Sequence, residues 1–277
     1  NVLKEAGWEN FPTTFEDMIQ CAKDCYDLES TSMGMNPLSP WLDNVLWPSM
    51  TEASWNDADG NPVFDSEAMR LAYSAQKELI DYQGGYAVAT GWESDFGPAR
   101  GSVTDPILTG EAGFLLLPDS AISSIYNAGV EAGYAYGEDW GIARVPGKSM
   151  FTAAVYEMNA KTKNPEASWE VMSYLNSKEA MTYLAEGEKG VGALMPRKSA
   201  LDALLEKEGV CDALKEVAVL LKEADLQSFP MSGYVNEYLG AIGNNMTAYM
   251  EGTMDMDTAV SNIQEEVQAA ADAFNGK

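Results

Sequence analysis

The sequence holds no histidine, three cysteines among 277 residues, and 17 basic residues against 43 acidic ones, a net charge of −26. Each scarcity closes off a class of chemistry. Without histidine there is no Ser-His-Asp or Cys-His nucleophile system, and no helix-borne His pair to hold zinc. Cys21 and Cys25 alone cannot complete a four-ligand zinc site, so neither a metal nor a cofactor is expected. The two lie four residues apart in a helical pattern, an orientation that suits a disulfide poorly. With Cys211 left over, the three read as free thiols packed as small hydrophobes. Lys and Arg are too few to neutralise phosphates or anionic lipid heads, which argues against nucleic acid as a partner. No block of five like charges occurs; the acidic excess spreads over helices, as a solvated surface does.

No apolar run reaches the roughly 18 residues that a membrane-spanning helix needs. The opening Asn1-Val2-Leu3-Lys4-Glu5 has no basic stretch leading into an apolar one, so no signal peptide is read there; a trimmed secreted product would start the same way. What is present suffices for a packed core, with 46% hydrophobic and 10% aromatic residues. The length allows one large domain or two lobes.

The pattern along the chain predicts an α/β architecture that becomes helix-rich. Thr13 and Glu16 make a capping box ahead of a helix that turns Phe15, Met18, Ile19, Ala22, Cys25 and Tyr26 to one face. Residues 30–48 are too broken by Gly, Pro and Ser for a regular element, Asp57 to Asn61 reads as a turn, and Asp65 or Ser66 caps a long helix. Residues 84–105 read as loop. Ala112 to Leu117 is a continuous apolar run, the mark of a strand buried on both faces, followed by a helix capped at Asp119 or Ser120. Trp140 to Val145 and Thr152 to Met158 are further strand candidates, and from Pro165 onward helices dominate, closing with a pair separated at Gly252.

Two motif echoes fail on spacing. Gly147-Lys148-Ser149 ends like a phosphate-binding loop, but the required earlier Gly position is Ile142. Asp57-Ala58-Asp59-Gly60 echoes a calcium loop whose first and twelfth ligand positions here are Trp55 and Ser66. The aromatics stand out more. Trp41, Trp47, Trp55, Trp92, Tyr234 and Tyr238 fall in or beside predicted loops rather than at core spacing, with Asp43, Asn44, Asp119 and Ser120 as nearby polar partners. Rings that stack on the C–H faces of a sugar, beside side chains that bond its hydroxyls, suit a carbohydrate site on a rigid scaffold. The competing reading is that each Trp closes its loop onto the core, and that Asp119 and Ser120 only cap a helix.

The order of several segments resembles the family 1 extracellular solute-binding proteins, the maltose-binding-protein-like receptors of ABC importers. Those segments are Leu3-Lys4-Glu5-Ala6-Gly7, Pro12-Thr13-Thr14-Phe15-Glu16, Asp65-Ser66-Glu67-Ala68, Thr109 to Leu117, Trp140-Gly141 through Pro146-Gly147, Lys163 to Glu170 and Leu194 to Ala200. The resemblance implies a type II periplasmic-binding-protein-like fold of two α/β lobes that close on a ligand by hinge motion. It further implies that the first half of lobe one is missing. Residues 1–147 would begin lobe two, 148–200 would be a returning segment of lobe one, and 201–277 would supply the C-terminal helices of lobe two. Carried over by position, Trp47-Pro48 resembles the family's sugar-stacking loop, Tyr234 and Tyr238 lie where a late aromatic is common, and Phe151 and Thr152 precede the returning strand. Asp119-Ser120 stand where members often have an aromatic, which points to a smaller or more polar ligand. The resemblance also implies a monomeric receptor, no enzyme, working with a membrane permease, and exported as a tethered lipoprotein or periplasmic protein. A receptor for a cationic or peptide-like solute, and a carboxylate-dependent glycosidase, stay open as alternatives.

Overall fold

The structure, a computed structural model, describes residues 1–38, 43–152, 155–186, 192–229 and 232–276, with the backbone only at Asp43 and Asn44. A single turn, α1 (Val2–Glu5), precedes α2 (Phe15–Tyr26), which is capped by the Thr14 hydroxyl accepting from the Asp17 N–H at 3.2 Å. The cap falls one residue later than the expected Thr13 box, and Asp17 stands at the third helical position where Glu16 would have stood in the earlier register. The predicted apolar face, Phe15, Met18, Ile19, Ala22 and Cys25, is buried, and Cys21 and Cys25 are free thiols inside it.

Residues expected to be irregular do form elements. β1 (Met33–Met35) is wholly buried, and α3 (Asp43–Met50) carries Pro48 in its last turn. After α4 (Glu67–Tyr82), capped by Ser66, comes α5 (Tyr86–Phe96), where a loop was expected. Glycines at 84, 85 and 91 mask that helix in sequence, yet the first two have positive φ and form its entry turn while Gly91 sits in open space. The turn α6 (Pro106–Thr109) is capped by the fully buried Asp105 and leads to β2 (Ala112–Phe114), then α7 (Ile122–Ala132).

β2 pairs in parallel with β1, Met33 facing Ala112 and Met35 facing Phe114. Helix α2 lies directly on this pair because two glycines remove the obstruction. A Cβ on Gly34 would stand 1.7 Å from the Ala22 carbonyl oxygen, and one on Gly113 would stand 2.6 Å from the Cys25 Cβ.

In the second half β3 (Ser149–Met150) is followed by α8 (Pro165–Leu175), α9 (Lys178–Ala185), α10 (Lys198–Glu206) and α11 (Asp212–Glu223). Then come β4 (Leu226–Gln227), α12 (Val235–Met250) and α13 (Met256–Phe274). β3 pairs in parallel with β4. The strand expected at Thr152–Met158 is instead this shorter, earlier one; Val155, Tyr156 and Met158 are exposed and irregular. Trp140–Val145, also expected as a strand, joins no sheet.

The largest apolar cluster packs α12 and α13 onto Trp55, Phe64, Met69, Tyr73 and Ile80. A second gathers α2, Met35, Trp47, Leu79 and Phe114. Polar side chains finish the first junction: Gln264 accepts from the Phe64 N–H at 2.7 Å and donates to the Pro62 carbonyl at 3.0 Å. No helix among the described residues is long and apolar enough to cross a membrane.

Three substitutions test this packing by chemical denaturation. Gly34→Ala should destabilise the chain sharply, whereas Gly91→Ala, free of contacts within α5, should gain about 0.5–1 kcal/mol from helix propensity. Trp47→Ala should lose about 3–5 kcal/mol, as expected for a fully enclosed ring.

Candidate ligand-binding site

Several elements that carry expected site residues adjoin one another. Helix α3 packs against both β3 and α12. The joints are specific: the Lys148 N–H donates to the Ser49 carbonyl at 3.2 Å, the Phe151 N–H to the Gln227 carbonyl at 2.8 Å, and the Gln227 side-chain amide to the Ala53 carbonyl at 2.6 Å. Asp43, Asn44 and Trp47 on α3, Phe151 just beyond β3, and Tyr234 and Tyr238 at the start of α12 therefore belong to adjoining elements.

Adjoining elements do not make every ring available. Trp47 is 1% exposed, donates its indole N–H to the Pro37 carbonyl at 3.1 Å, and meets Phe15 edge-on. Tyr238 is equally enclosed; its hydroxyl lies 3.1 Å from the Val63 carbonyl and 3.3 Å from that of Trp55, and burial raises its pKa. These two rings are core pieces in this structure rather than open stacking faces. Trp55 packs on Phe229 and Tyr238, and Trp92 stacks on Phe96 while donating to Ser32. Loop aromatics thus mostly close their loops onto the interior, where a large ring removes more apolar surface from water than any other side chain. Tyr234 is also buried, against Phe274. Phe151 is half-buried and Thr152 exposed. Trp41 lies outside the described residues, and for Asp43 and Asn44 only a backbone position at the start of α3 is described.

Asp119 and Ser120 sit elsewhere, in a short turn of 3-10 helix before α7. Asp119 does not cap that turn with its side chain; one carboxylate oxygen accepts from the Leu194 N–H, tying the turn to residues 192–195. Burial raises its pKa, and the main-chain N–H groups of Leu194 and Ser120 partly offset that rise. Ser120 is exposed. Among the described residues no hydrogen bond or ring contact joins Asp119 or Ser120 to Trp47 or Tyr234. A cavity of about 630 Å³ lies between residues 1–11, 107–117 and 134–145, and none of the expected ligand residues lines it.

Two polar side chains that the sequence did not single out lie beside β4 and α12. Gln227 Oε1 and Ser232 Oγ are buried without a partner among the described residues. They sit in a stretch lacking any helical or strand periodicity, so no pattern marked them; the pairing of β3 with β4 accompanies the bond from Gln227 to Ala53, in the loop after α3.

The model of the family described as bacterial extracellular solute-binding protein matches residues 1–182. No curated protein sequence matches the chain. Among solved structures, maltose-bound MalE3 of T. maritima is 19% identical with a TM-score of 0.71, the match covering 97% of this chain and 68% of that one. The sugar-binding protein MalE of Xanthomonas citri is 18% identical with a TM-score of 0.75, covering 99% of this chain and 67% of that one. The cyclic α-maltosyl-1,6-maltose binding protein of Arthrobacter globiformis is 16% identical with a TM-score of 0.65, covering 97% and 67%. At these identities the likeness speaks to the fold, which is that of the two-lobed periplasmic-binding proteins. Matched over 182 of its 277 residues, the chain belongs to the bacterial extracellular solute-binding protein family.

Proposed function

We propose that the chain is the substrate-binding component of an ABC importer and that its ligand is a sugar or oligosaccharide. The observation that carries this reading is the fold: structures alike over nearly the whole chain are bound to, or named for, maltose, other sugars and a cyclic maltosyl-maltose. The receptor acts by binding and release, with lobe boundaries near residues 147 and 200 and closure about the segments that cross between lobes. It is a receptor and not an enzyme. It works outside the cell as a monomer, tethered to the membrane or periplasmic, and delivers its ligand to a membrane permease.

Within this reading the ligand contacts come from Asp119, Ser120, Phe151 and Tyr234, with Trp41, Asp43 and Asn44 as further candidates. Phe151 offers a ring for the C–H face of a sugar. Asp119 keeps one carboxylate oxygen beyond its bond to Leu194 and, with the Ser120 hydroxyl, can bond sugar hydroxyls. Trp47 and Tyr238 serve by fixing α3 and α12. Gln227 and Ser232 extend the polar set near Phe151.

A panel of maltose, mannobiose and tagatose, set against spermidine and dipeptides, tests the ligand class by thermal shift and calorimetry. A sugar at a hundredfold its dissociation constant should stabilise the receptor by about 2.7 kcal/mol. A response to spermidine alone would replace the sugar reading with a cationic solute. Asp119→Asn tests the carboxylate separately. Its raised pKa means that the folded state holds the proton more tightly than the unfolded chain, so the wild type gains stability as pH falls from neutral toward the ordinary carboxylate range. The variant should lack that gain, visible as a melting-temperature difference that shifts in favour of the wild type on acidification.

A further inference from the structure

Asn36 directly follows β1, and its buried side chain begins a polar network outside the expected ligand residues. Its amide donates to Glu93 Oε2 at 2.6 Å, and the Arg100 guanidinium donates to the same oxygen at 2.5 Å. Asn36 Oδ1 accepts from the Leu38 N–H at 3.1 Å, which fixes how the amide points. The next residue ties this turn to α3 and α4: the Pro37 carbonyl accepts from Trp47 Nε1 at 3.1 Å and from Gln76 Nε2 at 2.9 Å.

The other end of the network reaches the turn of Asp119 and Ser120. A Cβ on Gly101, next to Arg100, would stand 2.7 Å from Ser124 Oγ, and the Ser124 hydroxyl donates to the Ala121 carbonyl at 2.8 Å. Asn36 lies at the carboxyl end of β1, and Asp119 follows the carboxyl end of its parallel partner β2. Ligands of α/β sheets bind outside the carboxyl ends of the strands. Glu93 and Arg100 stand there, bonded through Asn36 toward α3 and packed through Gly101 toward the Asp119–Ser120 turn.

The pair keeps bonding capacity in hand. Both bonds to Glu93 fall on Oε2, so Oε1 receives neither. Arg100 Nε is buried with no hydrogen-bond partner among the described residues. The Arg100 and Glu93 side chains are 20% and 22% exposed, against 62% for Glu78 in its pair with Lys23. Burial raises the Glu93 pKa, and Arg100 and Asn36 offset only part of that rise. Taking two charges out of water costs more than the pair returns unless their remaining donors and acceptors are filled. A sugar hydroxyl donates one hydrogen bond and accepts others, and so matches a carboxylate oxygen beside a guanidinium N–H.

We propose that Glu93 and Arg100, oriented by Asn36, determine specificity by taking adjacent hydroxyls of the sugar, Glu93 accepting and Arg100 donating. The inference rests on the sugar-binding reading above and adds to it one residue of α5 and one of the turn that follows.

Calorimetry on the full-length receptor with maltose, mannobiose and tagatose tests the assignment. Glu93→Gln removes the charge at constant size, and Arg100→Lys keeps the charge but removes the planar fork. Each should weaken the sugars that bind the wild type by about tenfold or more, as loss of a bond to a charged group does, and should change their order of preference. Unchanged affinities, or a uniform loss that only follows a lower melting temperature, overturn the proposal in favour of a purely structural ion pair. A measurement on the wild type needs no variant to fold: bound sugar should slow modification of Arg100 by phenylglyoxal severalfold and leave Arg70, paired with Asp65 and Asp257, unaffected. A receptor that binds sugar with Arg100 unprotected overturns this inference alone. One that binds spermidine or dipeptides and no sugar ends the sugar reading, and this inference with it.

Discussion

Tyr238 and the apolar cluster around it hold distant parts of the chain in one core. Its hydroxyl bonds the carbonyl groups of Trp55 and Val63, and its ring contacts Trp55 and Phe229. Helices α12 and α13 share this cluster with residues of α4. Close to Phe229 in sequence, β4 pairs with β3, and the Gln227 amide donates to the Ala53 carbonyl. The arrangement of α3, β3 and α12 is thus a consequence of where the C-terminal helices find apolar cover. A buried hydroxyl bonded to backbone makes that docking specific as well as favourable, because a displaced tyrosine would leave its polar group unpaired.

The second junction, of α2 on the β1–β2 pair, works through absence of volume. Helix and sheet approach more closely than side chains would allow, and two glycines on neighbouring strands supply the room. The buried thiols of Cys21 and Cys25 sit at this contact as small, polarisable filler. Around both junctions the surface carries the acidic excess, with ion pairs such as Lys23–Glu78 and Arg70–Asp257 whose carboxylates are largely solvated. Such pairs contribute little to stability; the cores carry it.

Long periodic helices were legible in the sequence because apolar spacing and caps agree: α2, α4, α12 and α13 lie where the pattern puts them. α5 was hidden since its glycines lower helix propensity, and tertiary packing of Ala89 and Trp92 overrides that weak preference. Short parallel strands were harder. A three-residue strand has too few positions for alternation to show, and β3 and β4 exist only as partners of one another. Of the site, Asp43, Trp47, Phe151 and Tyr234 were candidates through resemblance rather than spacing; the structure adds that α3 adjoins β3 and α12. Which way each ring points was not, because a loop tryptophan serving as a plug and one serving as a platform have the same sequence surroundings. Trp47 and Tyr238 differ from a binding aromatic only in their backbone partners.

Helix α8 stands apart from this pattern. None of its side chains is buried, and Trp169, Val171 and Tyr174 are each more than half exposed. Its order therefore comes from local terms: Pro165 at the first turn, Glu166 near the positive end of the helix dipole, and the Ser168 hydroxyl on the Asn164 carbonyl. An 11-residue helix held this way is marginal by itself. Packing among the described residues therefore leaves the face formed by Trp169, Val171 and Tyr174 uncovered.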